Sequence, residues 1–434
     1  MSVRRGISRV TSVIIIVVII VLGGIGLGIY YSSLPTRVAT TTAQTSTVPS
    51  VSVIKIGMTQ PLSGSLASDG QMTLNGLQMW ASHVNATGGI YVRSLGKKLP
   101  VQLVYYDDQS NTARVAALYP QLIASNVNFL IAPYSSPLTL AAAPIAEQRH
   151  MLLMDEGGAS DTIFQKGYNY VVQIFAPGSA YMLPVLDMLA TFTPKPTTVA
   201  LFYGNDAFSI SVFSGGFSSY ATKLGYQIVY NQTYDESASD YTSQLAQIAA
   251  LKPDVLLGGA HFVDGETIMK NVRSLGINFK AISLLVAPDD PHFLSDLGPV
   301  ANYVMVPGQW ESNLEFAKFS PFGNITSAQF LSEFTSRFGI PPNYEAAAAY
   351  ETGLALEKAI FDSGSLDNTV VRNQLATEDF YTFYGRFKIG STGIQVGHSM
   401  VVAQWQNGIK QTIWPGPVAT APPLYPTPPW SQRP

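Results

Sequence analysis

Cysteine is absent from the 434 residues. That excludes disulfide frameworks, iron–sulfur clusters, thiolate zinc sites and cysteine nucleophiles. Charge is scarce too: Asp, Glu, Lys and Arg make up 12% of the chain, about half the usual share. A net charge of −3 argues against a nucleic-acid partner held through phosphates. Neither end carries a run of like charges, so no polybasic patch or acidic arm is present. There are only five histidines, and no two are spaced as a metal-binding pair. Gly-x-Ser-x-Gly and His-Glu-x-x-His do not occur. Ser94-Leu-Gly-Lys97 fits Ser-x-x-Lys, but Ser-Asp-Asn and Lys-Thr-Gly are missing and a strand follows, so it reads as a polar turn. Asp107-Asp108 reads as a polar strand end, with Asn111 as a helix cap, rather than as an acid pair or a hard-cation site. No catalytic residue, no cofactor and no metal are expected.

What is abundant is apolar: 47% of the residues, enough for sizeable cores. Residues 13–31 carry no charge and would reach roughly 29 Å as a helix, the thickness of a hydrocarbon core. The glycines at 23, 24, 26 and 28 lie inside this run, where small residues serve helix packing rather than dinucleotide binding. Arg4, Arg5 and Arg9 precede it, which leaves residues 1–12 in the cytoplasm and everything beyond outside. The competing reading is a cleaved export signal, against which stand the length of the run and the lack of a small-x-small cleavage site. Residues 32–52 form a Thr/Ser-rich linker without core-forming side chains. Asn85, Asn231 and Asn324 each open an Asn-x-Thr acceptor triplet for glycosylation.

From residue 53 onward, short apolar runs alternate with helical patterns. Strands are expected over 51–59, 101–107, 128–133, 150–155 and 168–174, with helices over 69–85, 112–124 and 138–148. A second succession places strands over 197–204, 226–231, 254–259 and 280–286, and helices over 208–224, 240–251 and 264–275. Near-continuous apolar strands separated by helices imply buried parallel sheets, hence an α/β fold with two lobes. After residue 303 the pattern turns helical over 326–338, 344–362 and 367–376. Extended runs follow at 383–389 and 400–405, and Asn407-Gly408 marks a hairpin turn. Residues 415–434 are too proline-rich for a helix or a central strand and should form a surface strap.

The turns between these elements carry a resemblance. IKIGMTQPLSGSLASDG (54–70), NATGGI (85–90), LVYYDDQSN (103–111), FLIAPYSS (129–136), MDEGGASD (154–161), YVVQIFAPGSAY (170–181), VALFYGNDAF (199–208) and DVLLGGAHF (254–262) follow one another in an order and spacing that resembles the Leu/Ile/Val-binding proteins. These are type I solute-binding proteins of ABC importers. The resemblance covers about residues 53–430 and implies the periplasmic-binding-protein-like I fold: two Rossmann-like lobes joined by three hinge crossings, near 174–178, 304–309 and 386–390. Lobe 1 is expected over 53–175 and 306–387, and lobe 2 over 176–305 and 388–414. The ligand would lie in the cleft, outside the carboxyl ends of the strands.

The resemblance also implies residue roles. Ser135 and Ser136 match the serine position that meets a ligand carboxylate. Gly157, Gly158, Ala159 and Ser160 match the second carboxylate and ammonium loop, with Ala159 where the family often has Thr. Asp289, in LLVAPDDPHF, matches the acidic residue that meets the ammonium. Phe208 and Phe262 match positions that are often Tyr and close over the ligand. Asp69 stands where leucine-binding members have an aromatic or apolar group, which disfavours a purely aliphatic ligand. The function implied is an extracellular receptor that captures a free amino acid, branched-chain or polar, or a small amide, and presents it to ABC permease subunits. The alternatives are a sensor ectodomain working with a signalling partner and, less favoured, a secreted hydrolase.

Overall fold

The computed structural model describes residues 51–214, 216–314 and 325–433. The expected membrane span 13–31, most of the linker and Asn324 lie outside them. Among the described residues no helix is long and apolar enough to cross a membrane.

The first sheet grows from β1 (Ile54–Gln60), whose Ile54, Ile56 and Met58 are fully buried. The chain continues through α1 (Ala67–Ala86), a small hairpin of β2 (Ile90–Val92) and β3 (Lys97–Leu99), and β4 (Val101–Asp107). Next come α2 (Thr112–Ala124), β5 (Phe129–Ile131), α3 (Ser136–Gln148), β6 (Leu153–Asp155), α4 (Asp161–Phe164) and β7 (Val171–Gln173). The strands form a five-stranded parallel sheet in the order β4-β1-β5-β6-β7, with Ile54 opposite Val101 and Gln60 opposite Asp107. The Asn111 side chain accepts from the Arg114 N–H and caps α2.

The second succession runs through α5 (Leu183–Ala190), β8 (Thr198–Gly204), α6 (Ala207–Phe213), α7 (Phe217–Lys223) and β9 (Gln227–Tyr234). It continues with α8 (Thr242–Ala250), β10 (Val255–Gly259), α9 (Phe262–Ser274), β11 (Ala281–Leu284), α10 (His292–Leu297) and β12 (Val304–Gly308). The chain then forms α11 (Ser327–Phe338), α12 (Tyr344–Ser363) and α13 (Asn368–Leu375). The last strands are β13 (Phe380–Tyr381), β14 (Arg386–Phe387), β15 (Val401–Gln406) and β16 (Ile409–Trp414). The second sheet has seven strands in the order β16-β15-β12-β11-β10-β8-β9, parallel from β9 to β12 and antiparallel beyond. Thus the chain leaves the first sheet after β7, comes back after β12 to lay α11 and α12 on α1, and rejoins the second sheet at β15. Helices cover both faces of parallel strands, as their continuous apolar character demands.

The seam between α1 and α12 shows how tightly the helices beside the first sheet are packed. Trp80 is fully buried and its Nε1 donates to Glu357 Oε2 at 3.1 Å. A Cβ on Gly353 would stand 2.1 Å from Trp80 Cδ2, so only glycine admits the indole there.

Two expectations need correction. The single helix over 208–224 is two helices, α6 and α7; Ser214 takes an extended backbone (φ −88°, ψ −172°), and glycines 215 and 216 follow it in the sequence. Residues 304–308, where a crossing was expected, form β12 inside the second sheet. The hairpin is as expected: Asn407 and Gly408 have φ of 50° and 77°, the left-handed pair that a two-residue turn requires. Beyond β16 the proline-rich segment is tied to the second sheet's side of the molecule. Leu424 N–H donates to Gln404 Oε1 at 2.8 Å, Thr427 N–H to the Lys280 carbonyl at 2.8 Å, and Trp430 Nε1 to the Ile277 carbonyl at 2.7 Å.

Candidate functional site

The carboxyl ends of both sheets converge on a narrow, almost filled cavity of about 10 Å³. The first sheet contributes Tyr134 and Ser135 from the turn after β5, Gly157 and Ala159 from the turn after β6, and Phe175 just beyond β7. The second contributes Phe208 at the start of α6, His261 after β10 and Val286 after β11. Tyr181, from the segment joining the sheets, and Tyr344, which opens α12, complete the wall. This is the position where parallel α/β sheets hold ligands.

Backbone geometry shapes each turn. Gly157 must be glycine, because a Cβ there would come within 2.7 Å of the Tyr134 Cα. The Gly158 N–H donates to Asp155 Oδ1 at 2.7 Å, which folds the turn back on its own strand. Burial pushes the Asp155 carboxyl up to about 7 in spite of the Gly158 and Gly157 N–H groups. Asp206 caps α6 by accepting from the Phe208 and Ser209 N–H groups at 2.6 and 3.1 Å, and so sets Phe208 against the cavity.

Hydrogen bonds between the two halves hold the cavity shut. Tyr134 Oη meets His261 Nδ1 at 2.9 Å, Ser68 Oγ donates to Asp290 Oδ2 at 2.5 Å, and Ser211 Oγ donates to Asp161 Oδ2 at 2.5 Å. The Tyr344 N–H donates to Asp289 Oδ2 at 2.8 Å.

The residues singled out from the sequence fall into three groups. Ser135, Gly157, Ala159 and Phe208 line the cavity. The Ser135 hydroxyl is buried and has no hydrogen-bond partner, so it is available to a ligand. Ser136, Gly158 and Ser160 support the wall from behind. Ser136 Oγ accepts from the Ser160 N–H at 3.0 Å, the Gly158 carbonyl accepts from Gln173 Nε2 at 3.2 Å, and Ser160 Oγ pairs with Thr162 Oγ1 at 2.9 Å. Phe262 and Asp289 lie elsewhere. His261, one position earlier, takes the place expected of Phe262, whose ring packs against His292. The Asp289 carboxylate pairs with Lys410 Nζ at 2.5 Å and accepts from Tyr344, so it is already satisfied without a ligand ammonium. Burial alone would lower the Lys410 pKa, but Asp289 and Glu311 together hold it above its ordinary value.

Asp69 is a different case. It is fully buried on α1, and neither oxygen has a well-aligned hydrogen-bond partner, although the Tyr134 hydroxyl is close enough to favour its charge. Burial first, and the Asp290 charge second, push its carboxyl well up. Glu345, next to Tyr344, is equally buried and has no well-aligned hydrogen-bond partner, although its own N–H and the Tyr344 hydroxyl are close enough to favour its charge. Burial and then the charge of Asp69 raise it likewise.

Sequence reasoning missed Tyr134, Phe175, Tyr181, His261, Val286, Tyr344 and Glu345. It also missed a grouping of one histidine with two carboxylates. Asp206, Glu236 and His261 come from three strand ends, and their ligating atoms lie within 4.8 Å of one another. Asp206 is engaged as a cap, and burial followed by the Asp206 charge raises Glu236 to about 8. The acceptor asparagines also differ from one another. Asn85 accepts from and donates to the backbone of Val101 at 2.7 and 2.9 Å, while Asn231 is exposed on β9.

A family model described as periplasmic binding protein matches residues 53–410. The chain belongs to the periplasmic binding protein family. A Leu/Ile/Val-binding protein homolog of Brucella abortus is 21% identical over 392 residues, covering 87% of this chain and 95% of its own. Among solved structures, the leucine-binding protein LivK of Thermotoga maritima superposes with a TM-score of 0.71 at 21% identity, covering 83% of this chain and 97% of its own. A solute-binding protein of Rhodopseudomonas palustris, solved with benzoate, gives a TM-score of 0.69 at 20% identity, covering 86% and 98%. The chain is accordingly a solute-binding receptor.

Proposed function

We propose that this periplasmic binding protein is the extracellular receptor of an ABC importer and captures a free amino acid, branched-chain or polar, or a small amide in the cavity between its sheets. Residues 53–175 and 309–387 act as one lobe and 176–308 with 388–414 as the other, and ligand enters when they part and is enclosed when they close. Residues 13–31 tether the receptor to the membrane beside its permease. The observation that carries the reading is the cavity itself. It sits at the carboxyl ends of both sheets, is held shut by hydrogen bonds from one half to the other, and presents an unpartnered Ser135 hydroxyl. Relatives named for leucine, isoleucine and valine binding supply the ligand class.

The test is a thermal-shift screen of the purified full-length chain against amino acids, their amides, aromatic acids and sugars. A ligand at a hundred times its Kd stabilises by about 2.7 kcal/mol, which a shift of several degrees reports. The reading expects such a shift from amino acids or amides. A shift from sugars alone, or from nothing in the panel, contradicts it.

A further inference from the structure

We propose that the solute carries a net positive charge, an amine whose cation is not balanced by a carboxylate of its own, and that the buried Asp69 and Glu345 supply the counter-charge behind an aromatic wall. The inference rests on the reading of the cavity as the solute site and narrows the class of solute.

The wall comes first. Tyr134, Phe175, Tyr181, Phe208 and Tyr344 turn their rings to the cavity, and neither lysine nor arginine lines it. The rings are set edge to face rather than stacked: Phe175 on Tyr344 at 5.6 Å between centroids, Tyr181 on Phe208 at 5.0 Å. Aromatic faces attract cations, most strongly where water is excluded.

The charge behind the wall is the second and independent observation. Asp69 and Glu345 are fully buried, and none of their four carboxylate oxygens has a well-aligned hydrogen-bond partner. With the cavity closed and empty, burial and the neighbouring carboxylates raise both carboxyls, and a cation entering the cavity is what lets them ionise. Asp69 lies against the Tyr134 hydroxyl, and Glu345 follows Tyr344 directly in the chain, so both stand one side chain from the cavity. Asp264, Asp289 and Asp290 add to the same negative field. The lysine that meets this group, Lys410, is held by Asp289 and Glu311. The N-terminus of α3 at Ser135 offers the cavity a partial positive charge of about half a unit, which suits one ligand oxygen but does not balance two carboxylates. A zwitterion brings an anion as well as a cation to a site whose buried carboxyls can only become negative; a net cation brings the partner they lack and no opposing anion.

The test uses titration calorimetry on the full-length chain with compounds of matched shape and different charge. The probes are glycine, alanine, valine, leucine and phenylalanine, their amides, and the corresponding acids without the amino group. For each skeleton that binds, the amide is expected to bind at least tenfold more tightly than the amino acid, and the deaminated acid not measurably. An amino acid that binds tenfold more tightly than its amide overturns the inference and leaves the amino-acid receptor reading standing. Failure of every compound removes that reading and the inference with it. Asp69→Asn and Glu345→Gln supply the second arm. Each is expected to weaken the amide at least tenfold while the melting temperature of the ligand-free chain stays level or rises, because a buried carboxyl that is uncharged in the empty cavity gives way to a neutral group of the same shape. A merely structural role would lower the melting temperature instead. Unchanged amide affinity in both variants overturns the inference.

Discussion

At the scale of single residues, Ser135 and Lys410 separate binding from folding. The Ser135 hydroxyl has no partner in the protein, so Ser135→Ala should leave stability within about 0.5 kcal/mol of the parent and weaken ligand roughly tenfold. Calorimetry alongside a denaturant melt would show both effects. Lys410 is the opposite case. Lys410→Met leaves Asp289 and Glu311 buried and unpaired, and the expected loss is about 3–5 kcal/mol of folding stability, read as a lower urea midpoint. Gly157→Ala forces a methyl into the backbone of Tyr134; about 1–3 kcal/mol should be lost, and ligand binding with it. Much of the site was legible at this scale only where one turn makes one contact. Ser135, Gly157 and Ala159 sit in turns directly after strands and Phe208 at the start of the helix after β8; periodicity locates those strand ends, and the family resemblance supplies the residues. Tyr344 opens a helix far along the chain, and its approach to Tyr134 exists only after α12 has packed on α1. His261 rather than Phe262 faces the cavity because the turn after β10, with Gly259 at φ +80°, sets which of two adjacent side chains points inward. No sequence pattern distinguishes them.

At the scale of elements, agreement was closest where the signals were local. Strand Val101–Asp107 and helix Thr112–Ala124 have the bounds that the apolar runs and the Asn111 cap imply. Strand β12 was missed because VMVPG carries a proline and is short, and its place in the sheet comes from pairing with β15, almost a hundred residues later. The α1–α12 seam makes a prediction of its own. Gly353→Val would drive two methyl groups into Trp80, and a loss of about 3 kcal/mol is expected, visible as a lower melting temperature with ligand specificity unchanged in the fraction that folds.

At the scale of the whole molecule, the buried carboxyls predict how stability follows pH. Burial raises Asp108 to about 6, Asp155 and Glu311 to about 7, and Glu236 and Glu351 to about 8. In the unfolded chain such groups titrate near 4, so between about pH 4 and pH 8 the folded chain binds more protons. Their contribution is therefore complete below the ordinary carboxylate range and lost as pH rises through about 6 to 8. Asp254 works in the opposite sense: burial disfavours its charge, but Lys280 and the Thr197 and Thr198 N–H groups hold it at about 2, so its share is lost only in strong acid. The melting temperature of the ligand-free chain should be highest near pH 5 and fall towards pH 8. A maximum at pH 7–8 in a calorimetric pH series would contradict this.

The account turns on two lobes that must part for ligand to enter, and the absence of native cysteine makes that directly measurable. Asp161 and Ser211 meet from opposite halves of the closed cavity. In the double variant Asp161→Cys, Ser211→Cys, a disulfide formed without ligand should abolish binding, and one formed with ligand should retain it through prolonged dialysis until a reductant is added. The measurement is the amount of bound ligand before and after reduction. Ligand that exchanges freely while the bond is intact would contradict the account.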